Sequence, residues 1–262
     1  MKITKHSRVN SWNDWIWPPN FALHLYNMHK EKTVVCFLRP WYNGKQGDDT
    51  MKDIPVFDTE FGVASLFVRQ IPYRQQAHIK IQVALDAEKL LEECVGFCRM
   101  CGAEHIYAAG DAYLEKYPRY ATLVEMRCDR ASIGESDACL FPVTEATVAQ
   151  WLQIYNARMA DVPNAAYMDN AQGRELIKNG GGYFVHRDGK LLGIGKISED
   201  LLDAVISVEP GMGETVVKAL VEVMPADTVR LLVAKENQRA MGLYTRMGFL
   251  EVQEVSNWYN IC

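Results

Sequence analysis

No run of apolar residues in this 262-residue chain approaches the roughly 20 needed to cross a bilayer. The first residues, Met1-Lys-Ile-Thr-Lys-His6, also lack the apolar segment of a secretion signal. The sequence is therefore expected to be that of a cytoplasmic chain without a membrane partner. A basic stripe is missing too, which argues against nucleic acid as a partner. Cysteine is sparse and odd in number: seven, at 36, 94, 98, 101, 128, 139 and 262. That pattern suits reduced thiols better than a disulfide framework. Cys98-Arg-Met-Cys101 would need a second pair at suitable spacing to hold structural zinc, and none follows. Cys94, Cys98 and Cys101 share one face of an expected helix, so they read as buried apolar side chains and no metal is expected.

What is present is a soluble, globular composition: 48% hydrophobic and 23% charged, with a net charge of −5. The charge is uneven. Residues 1–132 carry 17 basic and 16 acidic side chains, whereas residues 133–262 carry 11 and 17. An acidic second half is compatible with a cationic substrate, and equally with a solubilising surface.

Residues 1–60 hold Trp12, Trp15 and Trp17 ahead of Pro18-Pro19, a short helical pattern from Phe21, and an apolar strand at Thr33–Leu38. The tryptophans could wall a substrate or simply pack. From there a regular order emerges. Strands are expected at Gly62–Ile71 and His78–Leu85, a helix capped by Asp86 to about Cys101, a strand at Glu104–Ala109, a short helix at Ala112–Tyr117, and a strand at Ala121–Cys128. A polar linker, Arg130–Asp137, follows. After it come a strand at Leu140–Val143, a helix capped by Thr144, and a second helix near Asn170–Lys178. Arg187-Asp-Gly then turns a hairpin between Tyr183–His186 and Leu191–Ile197. Strand Leu201–Val208, helix Glu214–Met224 and strand Thr228–Ala234 complete the run, before Asn237 caps a short helix that Gly248 ends.

The order strand, strand, helix, strand, short helix, strand thus occurs twice, at an offset of about 124 to 128 residues. It predicts a repeated unit, with domains at 1–132 and 138–262. Two features of the second unit carry chemistry. Val208-Glu-Pro-Gly-Met-Gly-Glu-Thr215 joins a strand to a helix, and its glycines and free first-turn amides could cradle a phosphate or merely turn the chain. Asn237-x-x-Ala240-x-x-Leu-Tyr244-x-x-x-Gly248-Phe249 places a tyrosine on a capped helix after the next strand. If those strands diverge, both helix starts flank a cleft.

These two strings, with the element order from Leu140 to Ile261, resemble the GNAT superfamily of acyl-CoA-dependent N-acetyltransferases over about the last 120 residues. The resemblance implies an α/β (α+β) fold of tandem GNAT-like modules. Each would be a mixed, mostly antiparallel sheet flanked by helices, with a V-shaped split between two central parallel strands. It implies acetyl-CoA as cosubstrate, its pantetheine arm along Ile206, Ser207 and Val208, and its pyrophosphate on Gly211, Met212, Gly213, Glu214 and Thr215. Asn237 and Ala240 would line the arm, and Tyr244 would protonate the departing thiolate. The loop departs from the family pattern: it is several residues short and lacks the usual Arg or Gln, so phosphate contacts would fall to backbone amides. For the base that receives the amine proton, Asp203 is the first candidate, beside Glu199, Asp200 and His186. The amine could also arrive neutral.

The first unit lacks the loop, reading Val83-Ala-Leu-Asp-Ala-Glu88, and Pro118 cuts its late helix after Tyr117. It is expected to be a degenerate copy that shapes the acceptor site. The expected activity is acetyl, or short acyl, transfer from acyl-CoA to a small-molecule or peptide primary amine. The alternative is an inactive CoA-binding or regulatory protein of the same fold.

Overall fold

The computed structural model describes residues 51–262. The tryptophan cluster, the helix expected from Phe21 and the strand at Thr33–Leu38 lie outside them. The first half contains β1 (Ile54–Thr59), β2 (Gly62–Phe67), α1 (Ile71–Arg74), β3 (Gln76–Ala84), α2 (Ala87–Met100), β4 (His105–Ala109), a 3-10 turn (Ala112–Lys116) and β5 (Arg119–Asp129). The second contains β6 (Cys139–Pro142), α3 (Val148–Arg158), α4 (Asn170–Asn179), β7 (Gly182–Arg187), β8 (Lys190–Ser198), β9 (Leu201–Ser207), α5 (Gly213–Glu222), β10 (Thr228–Ala234), α6 (Gln238–Arg246) and β11 (Leu250–Asn260).

The local signals act as their chemistry dictates. The Asp86 carboxylate accepts the Lys89 amide at the start of α2. Asp169 and Gln172 form a capping box on α4, which Gly180 ends in the left-handed region. Asp188 and Gly189 both take positive φ, 53° and 75°, as the two-residue hairpin between β7 and β8 requires. Three expectations change. β1 and α1 were not foreseen, and β2 stops at Phe67 because Pro72 starts a helix rather than continuing a ladder. Finally, α3 begins after Thr147, not after Thr144, since the Thr147 hydroxyl accepts the Thr144 amide at 3.0 Å.

The fold class is the expected mixed α/β one, but the two units do not keep separate sheets. The eleven strands of the described residues form one sheet in the order β1-β2-β3-β4-β11-β5-β10-β9-β8-β7-β6. Each half gives its last strand to the other. β5 pairs with β10 over seven residues, Leu123–Asp129 against Thr228–Ala234. β11 lies between β4 and β5, pairing with β4 through Tyr259 and Asn260, beyond which Ile261 and Cys262 bond to Ile106. Read outward from the antiparallel β11/β5 pair, the order is mirrored, so β4 corresponds to β10 and β3 to β9.

One face is covered by α2 over β2 and β3 and by α5 over β8 and β9. Glycines let α5 press close: a Cβ on Gly195 of β8 would stand 2.2 Å from Leu220, which is itself fully buried. Cys94 and Cys98 sit in the core under α2, their thiols pushed up to about 12 by burial. The described residues contain no cluster of three or more potential metal ligands, and no described helix is long and apolar enough to cross a membrane. The opposite face carries α3 and α4 over β8 and β9, with Trp151, Tyr155, Ile194 and Ile206 at the centre. Beside them, at the junction of the halves, His78, Tyr107, Tyr120 and Trp258 stack.

Two outcomes are expected from this arrangement. Residues 138–262 expressed alone lack β5, leaving seven residues of β10 with an open edge, so they should aggregate or unfold. A soluble monomer with a cooperative thermal transition would show that the exchange is dispensable. Second, burial lowers His78 from 6.5 to about 4, with the Arg74 charge adding to the effect. Its folded-state affinity for protons is below that of the unfolded chain. Stability is therefore complete above the ordinary histidine range and falls as pH drops from about 6.5 toward 4, by on the order of a few kcal/mol. NMR should find the His78 ring neutral at pH 5.5, whereas a midpoint near 6.5 would contradict its burial.

Candidate functional site

The parallel pair β9/β10 meets at a single position, Arg230 against Leu201, and then separates. Its counterpart β3/β4 stays paired over five positions, Gln76–Lys80 with His105–Ala109. At the closed end of the gap, Arg230 binds Asp200 twice: Nε to carboxylate at 2.8 Å and amide to carbonyl at 2.9 Å. Beyond it, each strand keeps only its outer neighbour, β8 for β9 and β5 for β10. The Val208 amide bonds to Leu192 on β8 at 2.9 Å. Antiparallel alternation then turns the backbones of Ile206 and Val208 toward β8, and those of Val205 and Ser207 toward the gap. Of the three expected arm-binding residues, Ser207 thus offers its amide and carbonyl, and Val205 joins it.

At the open end, Gly211 turns the chain at φ 81° into α5, whose first turn has no side-chain cap. α2, α4 and α6 are each capped by a side chain, from Asp86, Asp169 and Asn237, whereas α3, like α5, is not. Free amides of Gly213, Glu214 and Thr215 are therefore available to an anion. Glu214 does not compete for them, because its carboxylate binds Lys218 at 2.8 Å along the helix, which holds it below the usual carboxylate range. Two basic side chains approach this loop from elsewhere in the fold. Arg158 of α3 reaches the Val208 carbonyl at 3.3 Å. Arg187, bridged to Asp137, places its other nitrogen 3.4 Å from the Met212 sulfur. Sequence reading missed both, because they converge only through folding.

Asn237 caps α6 by accepting the Ala240 amide at 3.2 Å. At the other end, Gly248 (φ 91°) and Phe249 close a Schellman stop: the Phe249 amide bonds to the Tyr244 carbonyl at 3.0 Å and the Gly248 amide to Thr245 at 3.1 Å. The accompanying apolar contact is Tyr244 itself, its ring 5.6 Å from that of Phe249. Much of the Asn…Tyr…Gly-Phe string thus serves helix boundaries, and what it leaves over is the phenol. Tyr244 is buried in the same cluster as Leu231 and Val233 of β10, and burial raises its pKa. Leu243 rests on Gly213, where a Cβ would stand 3.0 Å from its methyl, so α5 and α6 meet beside the gap.

Asp203 sits where the β8/β9 register slips: Lys196 faces Ala204 but Ile197 faces Leu202. This bulge leaves Asp203 as the extra residue, a device that re-aims side chains. Its carboxylate pairs with Lys196 at 2.5 Å. Glu199 and Asp200 lie in the turn at the closed end, and His186 is two strands away from β9 against Phe141. The larger cavity, about 600 Å³, opens between α3, α4 and Tyr73 and contains none of the expected site residues.

No protein-family model matches the sequence, and no curated protein does. Among solved structures, a conserved protein of unknown function from Staphylococcus epidermidis superposes with a TM-score of 0.52 at 12% identity, over 81% of this chain and 93% of that one. A GCN5-related N-acetyltransferase from Sphaerobacter thermophilus gives 0.49 at 12% identity, over 76% of each chain. A tandem GNAT protein from the clavulanic acid biosynthesis pathway gives 0.47 at 12%, over 76% of this chain and 79% of that one. The chain therefore shares its overall fold with the staphylococcal protein.

Proposed function

We propose that this protein transfers an acetyl, or short acyl, group from acyl-CoA to a primary amine by direct attack. The observation that carries the reading is the β9/β10 pair, which parts after one ladder position with an uncapped helix start at its open end. An extended amide-bearing chain laid in that gap would complete the ladder on Val205 and Ser207, as an added strand does. A pyrophosphate at its far end would meet the amides of Gly213 to Thr215, with Arg158 and Arg187 within reach. Acetyl-CoA has this shape: a pantetheine arm with two amides, ending in a pyrophosphate.

The chemistry follows from placing a thioester in the gap. A neutral amine attacks the thioester carbon, the C–S bond breaks, and its electron pair leaves on sulfur. Tyr244 is protonated at neutral pH because burial disfavours its phenolate, so it holds a proton for the thiolate. Asp203, freed from Lys196, is the candidate acceptor for the amine's proton. The first half is proposed not to bind CoA. Its parallel pair is closed over five positions, and the Asp86 carboxylate already occupies the start of α2.

Calorimetry with acetyl-CoA should detect one site per chain, and no heat of binding would end this reading. Tyr244→Phe should lower kcat for an accepted amine by about 100-fold or more while leaving acetyl-CoA affinity intact. An unchanged kcat removes Tyr244 from the reaction. Binding without free-thiol release across an amine panel would favour a CoA-binding or regulatory protein.

A further inference from the structure

A carboxylate at a helix start gives one oxygen to the first-turn amides and turns the other to water or to a cation. Asp169 does the first: its Oδ1 accepts the Gln172 amide at 2.9 Å. It is only 9% exposed, however, and pairs with no lysine, arginine or histidine among the described residues. Its Oδ2 has no hydrogen-bond partner there either, yet it is not among the sealed polar atoms. It opens instead on the cavity of about 600 Å³ between α3, α4 and Tyr73, which Asp169 lines. Holding a carboxylate out of bulk water without a cation is costly, and the helix start offsets only part of that cost.

Arg174, five residues further along α4, lines the same cavity. It is exposed, and among the described residues it makes no hydrogen bond and no ion pair, with Asp169 or any other carboxylate. Opposite charges thus face one cavity without meeting. Five residues of helix span roughly 7.5 Å. The ammonium and carboxylate of an α-amino acid stand about 3 Å apart, and a charge-assisted hydrogen bond of about 2.8 Å at each end extends their reach to roughly 8 Å.

The rest of the lining is suited to a side chain. Leu152 and Met168 are buried and apolar, and the Tyr73 ring stacks on Tyr167, with centroids 4.1 Å apart and planes 13° from parallel. This wall is fixed from both halves. Gln70 bonds to both backbone groups of Tyr167, at 3.3 and 2.6 Å, and Asn156 to both of Met168, at 2.8 Å. Asp169 follows directly, so the carboxylate and the rings are set in place before any ligand arrives. The volume lies within the roughly 300–1,000 Å³ of small-molecule sites.

We infer that this cavity binds a free α-amino acid with an apolar or aromatic side chain, its ammonium on Asp169, its carboxylate on Arg174 and its side chain against Tyr73 and Tyr167. A ligand of one charge would leave either Asp169 or Arg174 unpaired, and one without a side chain would leave the tyrosine wall uncovered. The cavity contains none of the residues assigned to acyl transfer, so the inference does not rest on that reading.

The test is calorimetry on the full-length protein without acetyl-CoA. The probes are phenylalanine, 2-phenylethylamine, which lacks the carboxylate, and 3-phenylpropanoate, which lacks the amine. Phenylalanine should bind at least about tenfold more tightly than either analogue. Asp169→Asn keeps an oxygen for the Gln172 amide, and so keeps the cap, but removes the charge. It should weaken phenylalanine and 2-phenylethylamine by about tenfold and leave 3-phenylpropanoate unchanged. Arg174→Gln should do the converse, weakening phenylalanine and 3-phenylpropanoate alone. Its position is exposed, so it carries the test should Asp169→Asn fail to fold. No binding of phenylalanine, binding no tighter than that of the analogues, or an affinity unchanged in either folded variant overturns the inference. Acyl transfer is untouched by all of these results, and a failure of acetyl-CoA to bind leaves the amino-acid site standing.

Discussion

The seven-residue ladder between β5 and β10 decides where this sheet can open. A parallel pair that separates loses several backbone hydrogen bonds, each worth about 1 kcal/mol net. The sum is a sizeable share of the roughly 5–15 kcal/mol that stabilises a domain. β10 can part from β9 because β5 holds its other edge along its whole length. β4 has a shorter support: Tyr259 and Asn260 pair with Ala108 and Tyr107, Ile261 and Cys262 bond to Ile106, and β4 stays paired with β3 over five positions. Two halves with the same order of elements thus differ in strand geometry through the unequal reach of the strands they exchange.

The same asymmetry extends to the helix starts. Both halves follow the outer strand of the parallel pair, β3 or β9, with a helix whose first-turn amides need a partner. In the first half Asp86 supplies a carboxylate from the chain itself. In the second, Met212 occupies the cap position and has no acceptor to offer, while Glu214 is drawn away to Lys218. An intrinsic carboxylate stabilises an empty helix start and repels a phosphate, so one choice favours a structural helix and the other a ligand. The gap in the ladder and the uncapped amides occur in the same half.

What the sequence displayed was local. Asn237, Asp86, Asp169, Gly180, Gly248 and the Asp188-Gly189 turn each act within six residues of chain, through caps and left-handed backbone, and each could be read from neighbours alone. The repeat of elements could be read as well, because hydrophobic period and breaker residues record it. The strand exchange left no such record. β5 and β11 have the alternation of ordinary strands, and nothing in a strand's own residues says which neighbour it will join. The bulges at Asp203 and Tyr120 were hidden for a related reason, since a bulge is a property of a pair of strands. Arg158 and Arg187 sit 50 and 25 residues from their partners Val208 and Met212. The loop at 208–215 therefore looked devoid of basic help when read along the chain, although two arginines approach it in space.

Exchange also determines what the opposite face can be. Since β4, β11, β5 and β10 alternate between halves, any surface across the centre of the sheet is composite. Arg74 and His78 come from the first half, Tyr155 and Asp203 from the second, and Trp258 from the strand that crosses between them. No half could assemble that surface by itself, so the first half has a structural reason to persist with its parallel pair closed. Gln70 makes the dependence mechanical. It is 3% exposed and holds both backbone groups of Tyr167, and so fixes the segment whose Ala165 carbonyl positions the Arg74 guanidinium. A buried amide satisfied on both sides permits one register and penalises others by the cost of an unpaired donor. The position of the Arg74 guanidinium is thereby set by a contact between the halves, not by either core.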